Sequence, residues 1–525
     1  MSESTKANVY VEPKIIVSSL PSQIADIYDD YAKYSIYDTE PYSKDAKVQG
    51  WVADFRSQTD NAFISLYDGS TSENFQLVCS RDKTENFDKL SGLRGATICA
   101  YGKVIDSPAA GQVIEMLCER IEPIGLVSDK NSIILAKNIQ LELLRGSNKH
   151  LRPRFRTYRY VYKIRTTLLK HIHEFFHSNR FYNLDPNIVT TSDCEGAGEV
   201  FNITTIDANK LIAETEHETL DRLTKISMSK YCNDIPIEVH ENKNTYDKDF
   251  FRTQAYLTVS SQLQLEALAS GLSRVYTLNP SFRAEKSKTK RHLACFTHLE
   301  WEIAFIDLNQ LMDFSEGLVR YVVSQTLAEC SKEYEELNKF ASKGIINKLM
   351  RVVENPFERI TYDKAIELIE EHKDKILQTY SEMVETDIPI WGDDLGSWCE
   401  KYICDHIYAK PVFVYNYPIK LKSFYMKANS DEKTCQACDL LCPQLGELIG
   451  SSIREDDETK LIARMDAKYM DKSKLGWYID LRKNSTFPHG GAGLGFDRLV
   501  SWCCLMDGNI RDVVPFPVSY EECEY

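Results

Sequence analysis

Long apolar runs are missing from this chain. No stretch of its 525 residues approaches the roughly 20 consecutive apolar positions that a membrane-spanning helix needs. The first residues, MSESTKANVYVEPK, contain neither an apolar signal core nor an arginine-rich amphipathic leader. We therefore expect a cytoplasmic protein with no membrane partner.

A disulfide or zinc framework is also lacking. The fifteen cysteines are scattered, which in a long chain without an export signal favours reduced thiols. Cys435 and Cys438 form a CxxC pair with Cys442 nearby, but a structural zinc site uses four ligands, and no convincing second pair is close in the sequence. We therefore expect neither disulfides nor a zinc site.

Positive charge is in deficit. The chain has 63 Lys and Arg residues against 78 Asp and Glu residues, a net charge of −15, which at first sight argues against a nucleic-acid partner. Binding to phosphates depends on local patches, however, and residues 148–165 and 283–292 are basic islands in this acidic chain. The first island fits either a nucleic-acid surface or a solvated positive face.

The length predicts two or three domains, with enough chain to bury large apolar cores. Five short runs of alternating apolar and polar residues within 44–124 predict a small five-stranded β-barrel. An oligonucleotide/oligosaccharide-binding (OB) barrel and a barrel without a ligand fit this pattern equally well. Residues 1–43 form a polar N-terminal extension that we expect to be loosely attached, and residues 125–150 form a hinge.

The segment 282–302, FRAEKSKTKRHLACFTHLEWE, has the composition of a nucleotide-phosphate site. Alternating residues on both sides of its basic loop predict two antiparallel strands. Arg283 ends the first strand, where its planar guanidinium group can bind a phosphate through two hydrogen bonds, and Arg291 and His292 lie in the loop. Phe296 opens the second strand, where its ring can stack on a purine.

A second candidate segment is GGAGLGFDRLV, residues 490–500. Its glycines allow a strand and the following helix to approach a ligand closely. Arg498 comes at the start of that helix, where a nucleotide meets both a cation and the helix dipole. Taken alone, a glycine-rich turn of this kind is common and is weak evidence.

Together and in this order, the two segments resemble motifs 2 and 3 of the class II aminoacyl-tRNA synthetases. Residues 156–181 predict a long amphipathic helix and, with Pro186 after it, resemble motif 1, which forms the homodimer interface in that family. The resemblance extends over nearly the whole chain. It implies an α+β fold, in which an OB-fold anticodon-binding barrel at 44–124 precedes a catalytic domain at 151–525. That domain would be an antiparallel sheet flanked by helices, with a helical insertion at about 313–385.

Within this family, the phrases TTSDCEGAGEVF, YLTVSSQLQLEA and GELIGSSIRE resemble the asparaginyl-tRNA synthetases. That resemblance implies activation of L-asparagine with ATP, its transfer to tRNA(Asn), and a homodimer. The related aspartyl enzymes carry a lysine, which pairs with the substrate carboxylate, at the position of Leu265. A carboxylate buried against leucine would cost several kcal/mol, whereas a carboxamide needs only hydrogen bonds, so Leu265 favours asparagine.

The resemblance also assigns roles to residues of the amino-acid pocket. Glu195 would bind the α-ammonium group of asparagine, with Gln262 as a second polar anchor. Arg454 would donate to the side-chain carbonyl oxygen, and Glu300 would accept from the amide nitrogen. Taken singly, Glu300 also fits a lysine ion pair on the sheet, and Gln262 also fits a helix cap.

The same resemblance implies three further sites. The ATP site comprises Arg283, Glu285, Arg291, His292, Phe296, Glu447 and Arg498, among which Arg283 and Arg498 are the catalytic residues. Asp439 and Glu447 match the carboxylates that bind Mg²⁺ in the family, and Mg²⁺ prefers such hard oxygen ligands. On the barrel, Phe63, Gln76 and Glu115 match positions that stack on or hydrogen-bond to anticodon bases.

One departure from the family pattern concerns ATP. Cys295 stands where the family has a glutamate that accepts from the adenine amino group. Loss of one charged hydrogen bond would weaken ATP binding by about 1–3 kcal/mol, so we expect an elevated Michaelis constant for ATP. Two other functions stay open on the sequence alone. They are an aspartate-to-asparagine ammonia ligase on the same core, although such proteins typically lack the barrel, and a non-catalytic interaction protein descended from a synthetase.

Overall fold

The structure, a computed structural model, describes residues 21–37, 40–129, 132–136, 140–191, 199–206, 246–247, 249–504 and 508–524. The chain divides into two compact units, Met1–Gln140 and Leu141–Tyr525. This division falls inside the predicted hinge at 125–150, where short 3₁₀ turns cover Ile133–Leu135 and Leu141–Leu144. Most of residues 206–250, a polar stretch of the chain, lies outside the described residues.

The first unit is a closed β-barrel whose strands run in the order β1-β2-β3-β5-β4. The strands are β1 (Ser43–Ser57), β2 (Asn61–Tyr67), β3 (Phe75–Ser80), β4 (Thr97–Asp106) and β5 (Ile114–Gly125). Alternate residues point inward, so that Ile64, Phe75, Leu77, Ile98 and Met116 are fully buried in its core. The predicted five-stranded OB-type barrel is confirmed.

A helix before the barrel corrects the expectation of a loosely attached extension. Helix α1 (Ile24–Tyr37) places apolar and tyrosine side chains at helical spacing on one face, and this face packs against the barrel core. Ile24 is only 1% exposed, and the ring of Tyr28 meets the ring of Phe75 edge-on at 6.1 Å. The helix is therefore part of the folded first unit.

In the described part of the second unit, eight strands form one mixed sheet in the order β12-β13-β14-β15-β16-β11-β10-β6. Its strands are β6 (Tyr182–Asn183), β10 (Arg274–Phe282), β11 (Cys295–Ala304), β12 (Glu358–Thr361), β13 (Val412–Tyr415), β14 (Ala437–Cys442), β15 (Gly446–Ile453) and β16 (His489–Gly495). Strands β10 and β11 pair in antiparallel register, with Phe282 opposite Cys295, which confirms the predicted hairpin around the basic loop. A smaller sheet contains β7 (Val189–Thr190), β8 (Asn202–Ile203) and β9 (Ala255–Leu257).

The described part of the second unit also contains helices, several of which pack against this sheet. They are α2 (Arg156–Ser178), α3 (Gln262–Leu272), α4 (Leu308–Glu329), α5 (Ser331–Phe340), α6 (Ile345–Glu354), α7 (Tyr362–Glu371), α8 (Lys373–Thr379), α9 (Gly396–Tyr402), α10 (Glu458–Ala467), α11 (Gly476–Lys483) and α12 (Phe496–Cys504). Helix α2 buries a stripe at spacings of three and four residues, including Val161, Ile164, Leu168 and Ile172, as the amphipathic pattern predicts. Helices α4 to α8 cover the region predicted as a helical insertion.

One buried carboxylate makes hydrogen bonds between the segments that resemble motifs 1, 2 and 3. Asp497, at the start of α12, is 2% exposed. Its Oδ1 accepts from Arg165 Nη1 of α2 at 2.6 Å, and its Oδ2 accepts from the backbone N–H of Thr297 on β11 at 2.7 Å. A charge-assisted contact of this kind fixes the helix start against the sheet, which places Arg498.

Three cations of the first basic island make contacts within the fold. Arg152 is fully buried, and its guanidinium group donates to the backbone carbonyls of Leu144, Arg511 and Val514 at 2.8–2.9 Å. Lys149 is 2% exposed, and Arg165 pairs with Asp497. These three cations therefore serve internal contacts, whereas Arg156 and Lys163 of the same island are exposed.

The described cysteines are all free thiols. Within the described ranges, none of the helices combines the length and the apolar character required to cross a membrane.

Candidate active site

The floor of the site is a row of residues across the sheet, one from each of five neighbouring strands. Asp439 on β14 lies opposite Gly450 on β15, which lies opposite Gly493 on β16. Gly493 in turn faces Glu300 on β11, and Glu300 faces Thr277 on β10. Gly493 leaves room for the imidazole ring of His298, because a Cβ at this position would lie only 2.5 Å from His298 Nε2.

A cavity of about 230 Å³ opens above this row. It is lined by Ser260, Gln262, Leu265, Arg283, His298, Glu300, Trp301, Lys422, Ser423, Tyr425, Met426, Asp439, Glu447, Gly450, Ser451, Arg454, Ala492 and Gly493. We call it the amino-acid cavity, because it contains the predicted asparagine residues that the structure describes. The remaining one, Glu195, lies outside the described residues.

A second cavity of about 110 Å³ adjoins the first, and we call it the nucleotide cavity. It is lined by Arg283, Glu285, Arg291, His292, Leu293, Phe296, His298, Glu447, Leu448, Gly493, Gly495, Asp497, Arg498 and Ile510. Every residue that the sequence assigns to the ATP site lies on its wall. The two cavities share Arg283, His298, Glu447 and Gly493, so a ligand group at their junction would meet a guanidinium group and a carboxylate.

Glu300 makes contacts that the sequence did not indicate. Its Oε2 accepts from the backbone N–H of Ser261 at 2.9 Å, and its Oε1 accepts from the Ser260 hydroxyl. His298 Nδ1 lies 3.5 Å from the same carboxylate, and burial lowers the pKa of that histidine although the charge of Glu300 opposes the shift. Glu300 is 3% exposed, and it thus fixes the turn that starts helix α3 at the cavity wall.

Arg454 is anchored from behind the amino-acid cavity. Its Nε and Nη2 donate to the two carboxylate oxygens of Glu302 at 3.0 and 2.8 Å, and its Nη1 donates to the Ser452 hydroxyl at 2.7 Å. Glu302 raises the pKa of Arg454 against the opposing effect of burial. The guanidinium group is therefore charged and held in one orientation beside the cavity.

Asp439 and Glu447 fit a Mg²⁺ site of two carboxylates. A Cβ at Gly450 would lie 3.1 Å from Glu447 Oε1 and 3.7 Å from Asp439 Oδ1, so both oxygens face the space that this glycine leaves open. Asp439 Oδ2 accepts from Lys422 Nζ at 2.5 Å. Among the described residues, no group of three or more His, Cys, Asp or Glu side chains is placed to hold a metal, so further oxygen ligands would come from the nucleotide or water.

The far wall of the nucleotide cavity carries opposed charges. Arg498 Nη1 donates to the backbone carbonyl of Glu447 at 3.1 Å and lies 3.4 Å from its carboxylate. Arg291 Nη1 donates to the backbone carbonyl of Leu445 at 2.9 Å. A Cβ at Gly446 would lie 2.7 Å from Arg291 Nη1 and 2.8 Å from Glu400 Oε2, so Glu400 of helix α9 is also close to this wall.

The loop between β10 and β11 holds His292 in a neutral form. Its Nδ1 lies 2.8 Å from the Ser287 hydroxyl and 2.7 Å from the Thr289 hydroxyl. Burial lowers the pKa of His292, and the nearby guanidinium groups of Arg498 and Arg291 lower it further. A neutral imidazole can donate a hydrogen bond to a phosphate without adding charge.

Glu400 gives the site a pH-dependent contribution to stability. Burial and the charges of Glu447 and Asp439 raise its pKa from 4.5 to about 7, although Arg291 opposes the shift. The folded protein therefore binds more protons than the unfolded chain between these two values, so ionisation of Glu400 costs stability as the pH rises through this range.

Glu400→Gln removes this cost, so we expect its unfolding temperature, relative to wild type, to increase as the pH rises from 4.5 to about 7 and to stay level above that. Glu335→Gln, at an exposed position of helix α5, is the control, and no such trend is expected for it. Unfolding curves of the ligand-free proteins across this pH range measure the difference. A temperature difference that is the same at every pH contradicts the assignment.

Cys295 begins β11, and its side chain alternates with that of Phe296, which lines the nucleotide cavity. The thiol is half-buried, and burial together with the charge of Asp497 raises its pKa. The expected loss of an adenine contact at this position stays a prediction.

Cys295→Glu is expected to lower the Michaelis constant for ATP by about tenfold, the scale of one restored charged hydrogen bond. Cys295→Ser is the matched control, because it changes the thiol without adding a carboxylate, and it should leave the constant near the wild-type value. Pyrophosphate exchange at varied ATP concentration measures both. An unchanged constant in the glutamate variant would refute the role of this position in adenine binding.

In the first unit, the three predicted anticodon positions lie on neighbouring strands. Phe63 on β2 and Gln76 on β3 alternate with buried core residues, so both side chains point outward. Glu115 on β5 also alternates with core residues but is only 6% exposed, because its carboxylate accepts from Ser107 Oγ and Gln112 Nε2, both at 2.7 Å.

Two polar residues that line the amino-acid cavity, His298 and Lys422, are among those that were not identified from the sequence. His298 stands between Phe296 and Glu300 at a spacing of two on β11, so the strand periodicity alone indicates that all three share a face. Lys422 belongs to the segment KSFYMKANSDE, but no local pattern distinguishes it from Lys427 in the same segment. Its contact with Asp439 depends on tertiary structure.

Comparisons with known proteins show the family to which the chain belongs. Residues 223–520 match the family described as tRNA synthetases class II (D, K and N). An asparagine–tRNA ligase from Treponema denticola is 37% identical over 495 residues, which cover 93% of this chain and 98% of the relative.

Two solved structures are similar in fold. Asparaginyl-tRNA synthetase from Pyrococcus horikoshii, complexed with asparaginyl-adenylate, has a TM-score of 0.73 and 31% identity, covering 91% of this chain and 95% of that one. Asparaginyl-tRNA synthetase from Entamoeba histolytica has a TM-score of 0.73 and 25% identity, covering 93% of this chain and 98% of that one. The chain therefore belongs to the class II tRNA synthetases and, within them, to the asparagine–tRNA ligases.

Proposed function

We propose that the chain activates L-asparagine with ATP to form asparaginyl-adenylate and then transfers the asparaginyl group to tRNA(Asn). The observation that carries this proposal is the junction of the two cavities at Arg283, His298, Glu447 and Gly493. An amino acid in one cavity and ATP in the other would bring a carboxylate and an α-phosphate together there. The relative from Pyrococcus horikoshii, whose solved structure contains asparaginyl-adenylate, supports the same chemistry.

The reaction needs no covalent enzyme nucleophile. In the first step a carboxylate oxygen of asparagine attacks the α-phosphorus in line, and pyrophosphate leaves. Arg283 stabilises the charge on the pentacoordinate centre, because its guanidinium group is fixed at the junction before the charge develops. In the second step the terminal ribose hydroxyl of tRNA attacks the carbonyl carbon of the mixed anhydride, and AMP leaves.

The nucleotide cavity supplies the remaining contacts to ATP. Phe296 stacks on the adenine ring, Arg498 holds the nucleotide in a bent form, and Arg291 and His292 reach the outer phosphates from the loop, while Glu285 lies on the same cavity wall. Asp439 and Glu447 would hold Mg²⁺, which would neutralise phosphate charge and assist the departure of pyrophosphate.

The amino-acid cavity selects a carboxamide. Glu195 and Gln262 bind the α-ammonium end of the substrate, while Arg454 donates to the side-chain carbonyl and Glu300 accepts from the amide nitrogen. Leu265 lines the same cavity and offers no counter-charge to a carboxylate. Aspartate would therefore place a second carboxylate beside Glu300, which is unfavourable in a buried site.

Pyrophosphate exchange tests the proposal against its alternatives. The synthetase exchanges pyrophosphate into ATP when asparagine is present, without ammonia. An ammonia ligase activates aspartate instead, and an interaction protein shows no exchange with either amino acid. Exchange that depends on aspartate alone, or no exchange, contradicts the proposal.

On the barrel, Phe63, Gln76 and Glu115 read the anticodon of tRNA(Asn). Phe63→Ala is expected to lower kcat/KM for tRNA in aminoacylation by about tenfold, since one base–aromatic stack contributes about 1–3 kcal/mol. Pyrophosphate exchange, which needs no tRNA, should keep its wild-type rate and thus shows that the catalytic unit is intact. A variant with unchanged aminoacylation at limiting tRNA would remove Phe63 from the anticodon site.

The chain acts as a cytoplasmic homodimer. The segment after helix α2 exposes Tyr182, Ile188 and Val189, which supports an apolar interface at motif 1. Sedimentation of the active protein is expected to give the mass of a dimer. A fully active monomer contradicts this part of the proposal.

A further inference from the structure

A buried charge network lies directly behind the amino-acid cavity. Its centre is Glu266 of helix α3, which is fully buried and does not line the cavity. Glu266 Oε2 accepts from Tyr478 Oη and Arg482 Nη2, both at 2.8 Å, and lies 3.0 Å from His489 Nε2. Burial opposes ionisation, but Arg482, His489 and Arg454 together hold the pKa of Glu266 below its ordinary value. The carboxylate is therefore charged.

The network reaches the substrate side through two residues. Gln262, which lines the amino-acid cavity, donates from Nε2 to Glu266 Oε1 at 3.0 Å. Arg454, on the same cavity, has its Nε 3.8 Å from Glu266 Oε1 and makes a two-pronged ion pair with Glu302. Glu302 is also fully buried and does not line the cavity. Arg454 thus stands between the cavity and two carboxylates.

The two carboxylates of this network lie against two guanidinium groups. Glu266 and Glu302 supply two negative charges, and Arg454 and Arg482 supply two positive charges, in direct contact with each other. Glu300 then adds one more carboxylate on the cavity wall. Arg454 can therefore donate hydrogen bonds to a substrate, but its charge is already compensated from behind.

We propose that Glu266 and Glu302 are specificity-determining residues, which compensate the charge of Arg454 so that the amino-acid cavity accepts a neutral carboxamide and rejects a carboxylate. The inference deepens the proposed function and rests on it. Neither residue touches the substrate, and both act through Arg454 and Gln262. The selection against aspartate is then electrostatic and comes from residues behind the cavity wall as well as from Leu265 and Glu300 on it.

Removing either carboxylate without changing its shape leaves Arg454 with uncompensated charge. Glu266→Gln and Glu302→Gln are each expected to lower the ratio of kcat/KM for asparagine to that for aspartate by about 10- to 100-fold, the scale of one charge contact to a substrate. Most of this change should come from a lower KM for aspartate. A merely structural defect would instead lower kcat/KM for both amino acids by the same factor and leave the ratio unchanged.

Pyrophosphate exchange with each amino acid at one pH measures the ratio in wild type and variants. Glu316→Gln is the matched control, since Glu316 is a mostly buried, arginine-paired glutamate of helix α4 outside both cavities, and its ratio should stay at the wild-type value. Glu266→Asp keeps the charge but shortens the reach to Gln262, so it should retain the discrimination while the KM for asparagine rises.

Thermal unfolding shows which variants fold. Because Glu266 and Glu302 both contact the guanidinium group of Arg454, a single folded glutamine variant is enough to test the inference. Folded variants that keep the wild-type ratio overturn the inference, and so does a ratio that falls only through loss of asparagine activity. Failure of the proposed function itself looks different, because the wild-type protein would then show no asparagine-dependent exchange.

Discussion

Replacing Arg283 by alanine is expected to lower the rate of asparagine-dependent adenylate formation by about 100- to 1,000-fold, the range found when one preorganised donor to a developing charge is removed. Arg283 is the cation that lines both cavities at their junction, at the end of β10. The guanidinium carbon of Arg283 lies 5.8 Å from the centre of the Phe296 ring, and Arg283 Nη1 lies 3.7 Å from Glu285 Oε1. These contacts orient the guanidinium group before substrates bind.

Single-turnover formation of the adenylate measures this effect apart from product release. Arg274→Ala is the control, because Arg274 begins the same strand but is exposed and donates to the backbone carbonyl of Asn179. The control should keep its wild-type rate. If Arg283→Ala loses less than tenfold at saturating substrates, the junction of the cavities is not where the reaction occurs.

Replacing Arg454 by methionine is expected to lower the free energy of unfolding by about 3–5 kcal/mol and to abolish asparagine binding, because two buried carboxylates lose a partner. Glu302 loses a two-pronged ion pair, and Glu266 loses a cation at 3.8 Å. Burial already raises the pKa of Glu302, and the charge of Glu266 raises it further, while Arg454 opposes both. Without Arg454 the pKa of Glu302 rises further, so the folded variant keeps the proton on Glu302 up to a higher pH.

The sign of the pH dependence follows from this shift. An acid whose folded-state pKa is raised costs no stability while it is protonated, and the cost grows as the pH rises through its titration range. The difference between Arg454→Met and wild type should therefore be large at neutral pH and shrink towards about pH 5. Urea unfolding at several pH values measures it.

Arg464→Met is the matched control for this variant. Arg464 is partly buried, and its guanidinium group donates to the backbone carbonyls of Ser423 and Met426 instead of to a carboxylate. Its loss should cost only about 1–2 kcal/mol, with little dependence on pH over this range. Equal losses in both variants would show that Arg454 does not compensate buried charge.

Much of the active site could be predicted from the sequence, because its residues lie in short local patterns. Strand alternation around a basic loop indicates the β10–β11 hairpin, and the glycine-rich turn before Arg498 indicates a strand followed by a helix. The predicted ATP residues line one cavity, since these two motifs belong to adjacent strands of one sheet.

Helix α1 shows where composition misleads. Ile24, Ile27, Tyr28, Tyr31 and Tyr34 follow helical spacing, but Asp and Tyr residues between them give the segment a polar character. Only packing against the barrel core makes this stripe a buried face. A loose extension was expected because the segment is polar in composition, and the helical spacing of its apolar and tyrosine residues was given less weight.

The buried charges of the second unit could not be predicted from the sequence, because their partners lie far away in the chain. Arg152 donates to carbonyls of Arg511 and Val514, far away in the sequence, so its burial has no local signal. Glu266 follows directly after Leu265, but its partners Arg482 and His489 come from helix α11 and from strand β16. Contacts of this range appear only when the fold is known.

Aminoacylation of tRNA(Asn) from an equal mixture of asparagine and aspartate tests the central claim most directly. Mass spectrometry of the amino acid released from the charged tRNA identifies which substrate was used. Transfer of asparagine, with aspartate at background, is the predicted result. Transfer of aspartate, or of both amino acids in similar amounts, would contradict the selection of a neutral carboxamide in this cavity.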